Sequence, residues 1–376
     1  MDRLKQYIKA HKKKSILSLA VLLGFLFFAF FIFHDDFLYK ETILKITNVQ
    51  TTFLADKEGF DGRKESSYRQ DITANVQNGK YKGQTVSFQN EYSYSEVTSM
   101  KLQTGDKLFV KLVKNSDDSL QVSVLYEKRD SYLILLFGIF ILLLLVCAKK
   151  QGLLTLASLL LNIAIFFFCL RFNKTEDYLN WVWMLEVFCF CITTLLFVSG
   201  FHKKTFGAIL STLLIVLIVT VLYYFTIFHN DDIPYDMLPC MLAYLPLDKL
   251  FFISTIFGLL GAVMDVSITV NASISELAAA TADLPVKAMI SSIFEIGHDI
   301  MGTMVTVLFF SYLSGSFPLM VLKISNNYTL STIVTVDYIF DILRFLVGSI
   351  GIVLSIPVSG LIAILLFKKG PVLKKW

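Results

Sequence analysis

Four ionisable residues stand in stretches that are otherwise apolar: Asp265 in GLLGAVMDVSITV (258–270), and Glu295, His298 and Asp299 in EIGHDIMGTM (295–304). An ionisable side chain at membrane depth is costly and marks a functional site unless it merely pairs. Rising ~1.5 Å per residue, the helices expected here place Asp265 about 8 Å from the inner end of its span and Asp299 about 9 Å into the next. Glu295 and Asp299, four apart, share a helix face, with His298 beside them. Two carboxylates close together in a low dielectric do not both stay ionised without a cation, so one holds a proton or both share an ion. The chemistry is that of a proton- or cation-responsive site. One histidine among carboxylates without regular ligand spacing leaves a metal undecided. Gly258, Gly261, Ser267, Gly297 and Gly302 are small enough to let the two helices approach closely.

A plainer role competes for some of these residues. Ser273-x-x-Glu276 and Ser292-x-x-Glu295 have the spacing of capping boxes, in which Ser and Glu satisfy the free amides of a helix start. On that reading Glu295 opens a span and residues 273–292 form a short helix on the membrane surface. The aspartates would then be separate groups facing water at helix ends.

A second set lies toward the opposite side: Glu186, and Asp341 with Arg344 three residues on. Arg344 is expected to pair with Asp341 locally or with Glu186 across helices. Gly351, Ser355 and Ser359, four apart, form a small-residue stripe for helix packing, and Pro357 is expected to kink that helix.

The elements that must position these residues are those of a membrane protein. The chain has 376 residues, 55% of them hydrophobic and only 17% charged, and its mean hydropathy is +0.64. Soluble domains carry about a quarter charged residues. After a basic start (Arg3, Lys5, Lys9, Lys12, Lys13, Lys14), Ser15–Phe33 is uncharged and long enough to span the bilayer. FHDDF follows rather than a small-x-small cleavage site, which predicts a retained signal anchor. Seven further spans are predicted: Tyr132–Ala148, Leu153–Leu170, Trp181–Ser199, Phe206–Phe228, Leu250–Val270, and parts of Ile293–Lys323 and Tyr338–Phe367. Lysines at 149, 150, 203, 204, 287, 368, 369, 374 and 375 join the basic N-terminus on one side, against Arg171, Lys174, Lys249 and Lys323 on the other. That bias predicts eight spans with both termini cytoplasmic. The outer loop His229–Lys249 is acidic (Asp231, Asp232, Asp236, Asp248) and contains MLPCMLAYLP, too short to cross. The five cysteines fall mostly in apolar runs and read as small buried hydrophobes rather than a disulfide framework.

His34–Asp130 differs in character. ILKITNVQTTFL, YRQDITANVQ, GQTVSFQ, DKLFVKLV and SLQVSVLYE alternate with period two and are bounded by turn formers such as NGKYKG and TGD. That pattern predicts strands, and five short strands suit a small OB-like barrel. The fold class expected is therefore an all-α polytopic membrane protein of about eight transmembrane helices with a small all-β extracytoplasmic domain after the first. Its parts are a basic N-terminus and anchor helix (1–33), the β domain (34–130) and a seven-helix membrane domain (131–376).

At these residues the chain resembles the YibE/F family of bacterial multi-pass membrane proteins. The likeness lies in GLLGAVMDVSITV and EIGHDIMGTM, in SYLSGSFPL at 311–319, and in NGKYKGQTVSFQN, GDKLF and YEKRD of the outer domain, which resemble the YibE-like half. The resemblance implies membrane location and supplies no activity. The residues favour a proton- or cation-linked transporter with Asp265, Asp299, Glu295 and His298 at its inner face. The alternative is a non-transporting scaffold or accessory subunit whose outer domain binds a partner. No nucleophile–base pair, P-loop or metalloprotease pattern suggests an enzyme, and no cofactor is expected. Partners expected are membrane lipids and either another membrane protein or a second copy of the chain. A stacking aromatic and basic groove for nucleic acid is missing from the sequence.

Overall fold

A computed structural model describes residues 24–25, 27–33, 35–58, 64–96, 99–114, 120–171, 176–228, 235, 246–281 and 285–367. The basic N-terminus, most of the first span, the acidic loop with Asp231, Asp232, Asp236 and MLPCMLAYLP, and Lys368, Lys369, Lys374 and Lys375 lie outside them. The chain divides into two compact units, Met1–Val146 and Cys147–Trp376.

In the first unit a helical piece at 27–33 (α1) leads into five strands: β1 (Thr42–Glu58), β2 (Lys64–Val76), β3 (Thr85–Ser93), β4 (Lys107–Lys114) and β5 (Leu120–Glu127). They form one antiparallel sheet in the order β3-β2-β1-β4-β5. Alternate residues point inward, as the pleat requires. Leu44, Ile46, Ile72, Ala74, Val76, Val86, Leu102, Leu108 and Val110 make the core. The Thr104-Gly105 turn reverses the chain before β4, and Gly105 takes φ 103° while its N–H donates to the Ile46 carbonyl at 2.9 Å. A side chain is disfavoured in that conformation.

The barrel expected from the sequence is not closed: among the described residues no ladder joins β3 to β5. The strand lengths explain this. β1 and β2 pair from Leu44–Val76 out to Glu58–Lys64, whereas β4 meets β1 only over Thr42–Lys45. The segment before β4 is instead held by side chains. Fully buried Gln70 donates to the Leu102 carbonyl (2.8 Å) and accepts from the Leu102 N–H (3.0 Å) and from Asn90 (2.9 Å).

A buried electrostatic knot ties the start of the sheet to its end. Lys128 is fully buried, with its amine 2.7 Å from Asp35 and 3.1 Å from Asp130 and Ser131. It also sits 4.8 Å above the Tyr39 ring. The Tyr39 hydroxyl donates to Asp35 at 3.2 Å and, more closely, to Asp130. Burial alone would push the Lys128 amine down, but hydrogen bonds and charge from Asp35 and Asp130 outweigh it and hold it above the ordinary lysine range. Burial, then Asp130 and Asp35, push the Tyr39 phenol up. Next to the knot, Asn78 donates to the carbonyls of Asp36, Tyr39 and Glu41 and accepts from the Ile43 N–H at 2.7 Å.

The long helices are α2 (Asp130–Leu170), α3 (Glu176–Ser199), α4 (Lys203–Tyr223), α5 (Leu247–Ala280), α6 (Val286–Ser325) and, after a short turn α7 (Leu330–Thr332), α8 (Ile339–Phe367). All six are long and apolar enough to cross a membrane. Two of the spans predicted separately lie within α2, where the four-residue loop between them is replaced by a break at Lys149 (φ 49°, ψ −122°). In the second unit α4, α5 and α8 pack around a common core. One cluster holds Ile215, Val219, Phe251, Leu259 and Val263, another Val266, Val270, Ile293, Ile352 and Ile356. α8 continues through Pro357.

The α5–α6 connection corrects the expected surface helix at 273–292. α5 runs unbroken to Ala280 and α6 begins at Val286. Ser273, Glu276, Ser292 and Glu295 are therefore interior to helices and cap nothing. Pro285, which has no N–H to leave unsatisfied, takes the N-cap position without a side-chain cap.

Candidate functional site

The longer helices move the aspartates deeper than the sequence suggested. Asp265 lies about 22 Å along α5 from Ala280, and Asp299 about 20 Å along α6 from Val286. The two carboxylates are thus at matching levels on adjoining antiparallel helices. Asp265, Glu295, His298 and Asp299 are all exposed. Gly297 is buried because α6 packs there on α8, where its Cα faces Ile356. Glu295 and Asp299, two residues either side at about 200° of helical rotation, take the face turned away from α8.

Among the described residues, none of these four side chains makes a hydrogen bond or ion pair, and no set of three or more His, Cys, Asp or Glu is arranged to hold a metal. The small residues divide. Gly258 admits the Tyr312 hydroxyl, which brings α5 and α6 together, and Gly297 and Ser267 face α8. Gly261 and Gly302 border open space.

Behind this exposed set runs a polar seam that the sequence showed only in its α8 stripe. Ser211 of α4, Ser267 and Asn271 of α5, and Ser355 and Ser359 of α8 are all fully buried. Asn271 donates to the Ser267 carbonyl at 2.9 Å and to the Ser211 hydroxyl at 3.3 Å, and Ser359 donates to Ser267 at 3.1 Å. Gly207 lets the Asn271 amide lie directly against its backbone. Such small polar contacts replace the hydrophobic drive that helices lack in lipid. They fix the rear of α5, and with it the level of Asp265.

At the other end of these helices Arg344 does what its spacing predicted locally. It donates to Asp341 at 3.3 Å and to Ser254 at 3.2 Å, and lies 5.0 Å above the Phe251 ring. Asp341 also accepts from Ser316, so the group joins α5, α6 and α8. Glu186 has no place in that pair: it is 1% exposed on α3, and its Oε1 has no hydrogen-bond partner among the described residues.

Comparison with known proteins gives matches to two family models. The YibE/F-like protein model matches residues 136–369, and the YibE/F family N-terminal domain model matches residues 37–126. No curated protein and no solved structure matches the chain.

Proposed function

We propose that this chain, which belongs to the YibE/F family, is a membrane transporter linked to a proton or a cation, with Asp265, Glu295, His298 and Asp299 as its charge-handling groups. One observation carries the reading. The four side chains sit far along membrane-length helices, exposed and without partners among the described residues. Hydrocarbon cannot surround such groups cheaply, so water or an ion reaches them. The buried polar seam keeps α5 rigid behind them. The topology that suits this role has both termini cytoplasmic and residues 34–130 outside.

The scaffold reading has its own support, since the α6 face bearing Glu295 and Asp299 is free for another membrane protein or a second copy. Flux separates the two. In proteoliposomes screened with protons and monovalent cations, Asp265→Asn and Asp299→Asn should each reduce transport to the level of empty vesicles. The double variant should lose little more, because neighbouring groups acting together are not additive. Undiminished flux in both single variants, or no flux for any ion with the unaltered protein, would sink the transport reading.

A further inference from the structure

A different pair of helices carries a second line of polar groups. On α2, Gln151, Thr155, Ser158, Asn162 and Cys169 are spaced 4, 3, 4 and 7 apart and therefore share one face. On α3, Glu186, Cys189 and Thr193 do the same. The two faces meet. Gln151 donates to the Val198 carbonyl. Asn162 donates to Thr194 at 2.7 Å and accepts from Thr193 at 2.5 Å. Ser158 is buried with its hydroxyl unpartnered. The Cys169 thiol lies within electrostatic reach of both Glu186 and Cys189. From Gln151 to Cys169 the line is about 27 Å long, close to the ~30 Å thickness of bilayer hydrocarbon.

Glu186 terminates this line with its carboxyl 1% exposed and Oε1 without a hydrogen bond. Among the described residues the Cys169 thiol of α2 is within electrostatic reach of Glu186, and no cation pairs with the carboxyl. Arg344 is already engaged by Asp341 and Ser254. A bare carboxylate buried without donor or cation is far costlier than the neutral acid.

We propose that Glu186 is an exchangeable proton site of the membrane domain, reached along the amide and hydroxyl groups between α2 and α3. The proton binds a carboxylate oxygen of Glu186 and leaves to water that enters between α2 and α3. No other covalent change is involved. This goes beyond the transport site proposed above, since α2 and α3 carry none of its four residues. Its test requires no transport, so either proposal can fail alone.

The test uses the purified full chain in detergent. Dicyclohexylcarbodiimide, an apolar reagent, adds the carboxylic O–H of a buried protonated acid across its C=N bond, and peptide mapping locates the adduct. Modification at Glu186 is expected, together with its loss in Glu186→Gln and its decline as pH rises. The infrared band of a protonated carboxyl should likewise be present at neutral pH and vanish in Glu186→Gln. That band should shift in heavy water, and Asn162→Leu should slow the shift several-fold. An unmodified Glu186 peptide with no such band overturns the proton site. A band that never shifts overturns the access route. Protection by sodium with no effect of pH would assign the carboxyl to a metal cation and overturn the proposal.

Discussion

Lys128→Met should destabilise the sheet-bearing unit by about 3–5 kcal/mol, the loss that follows when one partner of a buried ion pair is removed. The amine it deletes is fully buried, 2.7 Å from Asp35, whose side chain is only 6% exposed. Met fills the volume but leaves Asp35 and Asp130 beside Tyr39 with no cation. Thermal unfolding followed through the sheet signal should shift down by more than about 10 °C. Adding Asp35→Asn should restore part of the loss, since replacing both partners of a buried pair is often near neutral. The pH dependence has a definite sign. Because the Lys128 amine is held above the ordinary lysine value, its contribution is complete below about pH 10.4 and is lost as pH rises through the higher folded value. A loss below about 1 kcal/mol is what an exposed pair would give, and would show the knot to be dispensable.

The second large effect is expected where α6 meets α8. Each helix offers a glycine to an isoleucine of the other. Gly297 of α6 receives Ile356, and Gly360 of α8 receives Ile293. Gly348 receives Leu308 farther along the same antiparallel contact. A Cβ on Gly360 would come within 2.7 Å of the Ile293 side chain, and one on Gly297 within 2.9 Å of the Ile356 Cδ1 and nearer still to its Cγ2. The contacts involve branched stems rather than flexible tips, so the helices must part. Gly297→Ala and Gly360→Ala should each cost about 1–3 kcal/mol, the range for an overfilled core. Pairing Gly360→Ala with Ile293→Ala should recover part of that cost. Thermal unfolding of the purified chain measures the cycle, and strict additivity would mean the residues do not touch. A displaced α6 also carries Glu295 and Asp299 out of register with Asp265, so the proposed flux should fall together with stability.

These two sites show what sequence could and could not reveal. β2 was legible because Ile72, Ala74 and Val76 alternate with polar residues and are buried as alternation demands. The membrane helices were legible because their apolar runs match bilayer thickness, and the α8 stripe because Gly351, Ser355 and Ser359 repeat every four residues. The end of α5 was not. Asn271, Ser273 and Glu276 look like the polar exit of a span, yet Asn271 is buried and reaches Ser211 of α4, a partner that comes from tertiary contact. Capping-box spacing misled at Ser292 and Glu295 because an i, i+3 pair fits a helix interior as well as its start. Barrel closure depended on edges of β3 and β5 that no local signal relates. Lys128 counted in the sequence only as part of YEKRD, and its burial depends on Asp35, almost a hundred residues earlier. For Glu186, spacing alone offered Arg344 as a partner, and only the packing of α3 shows that Arg344 is taken elsewhere.

The hairpin of α5 and α6 is far longer than a bilayer is thick. Its arms measure about 51 Å and about 60 Å along their axes, against about 30 Å of hydrocarbon. α5 is buried at intervals from Phe251 to Ile274, a packed length of about 35 Å. The excess of both arms is taken up by tilt or stands in the headgroup and aqueous layers. The connector between Ala280 and Val286 joins the two arms at one end of that excess, a place that a connector lying flat on the surface would not occupy.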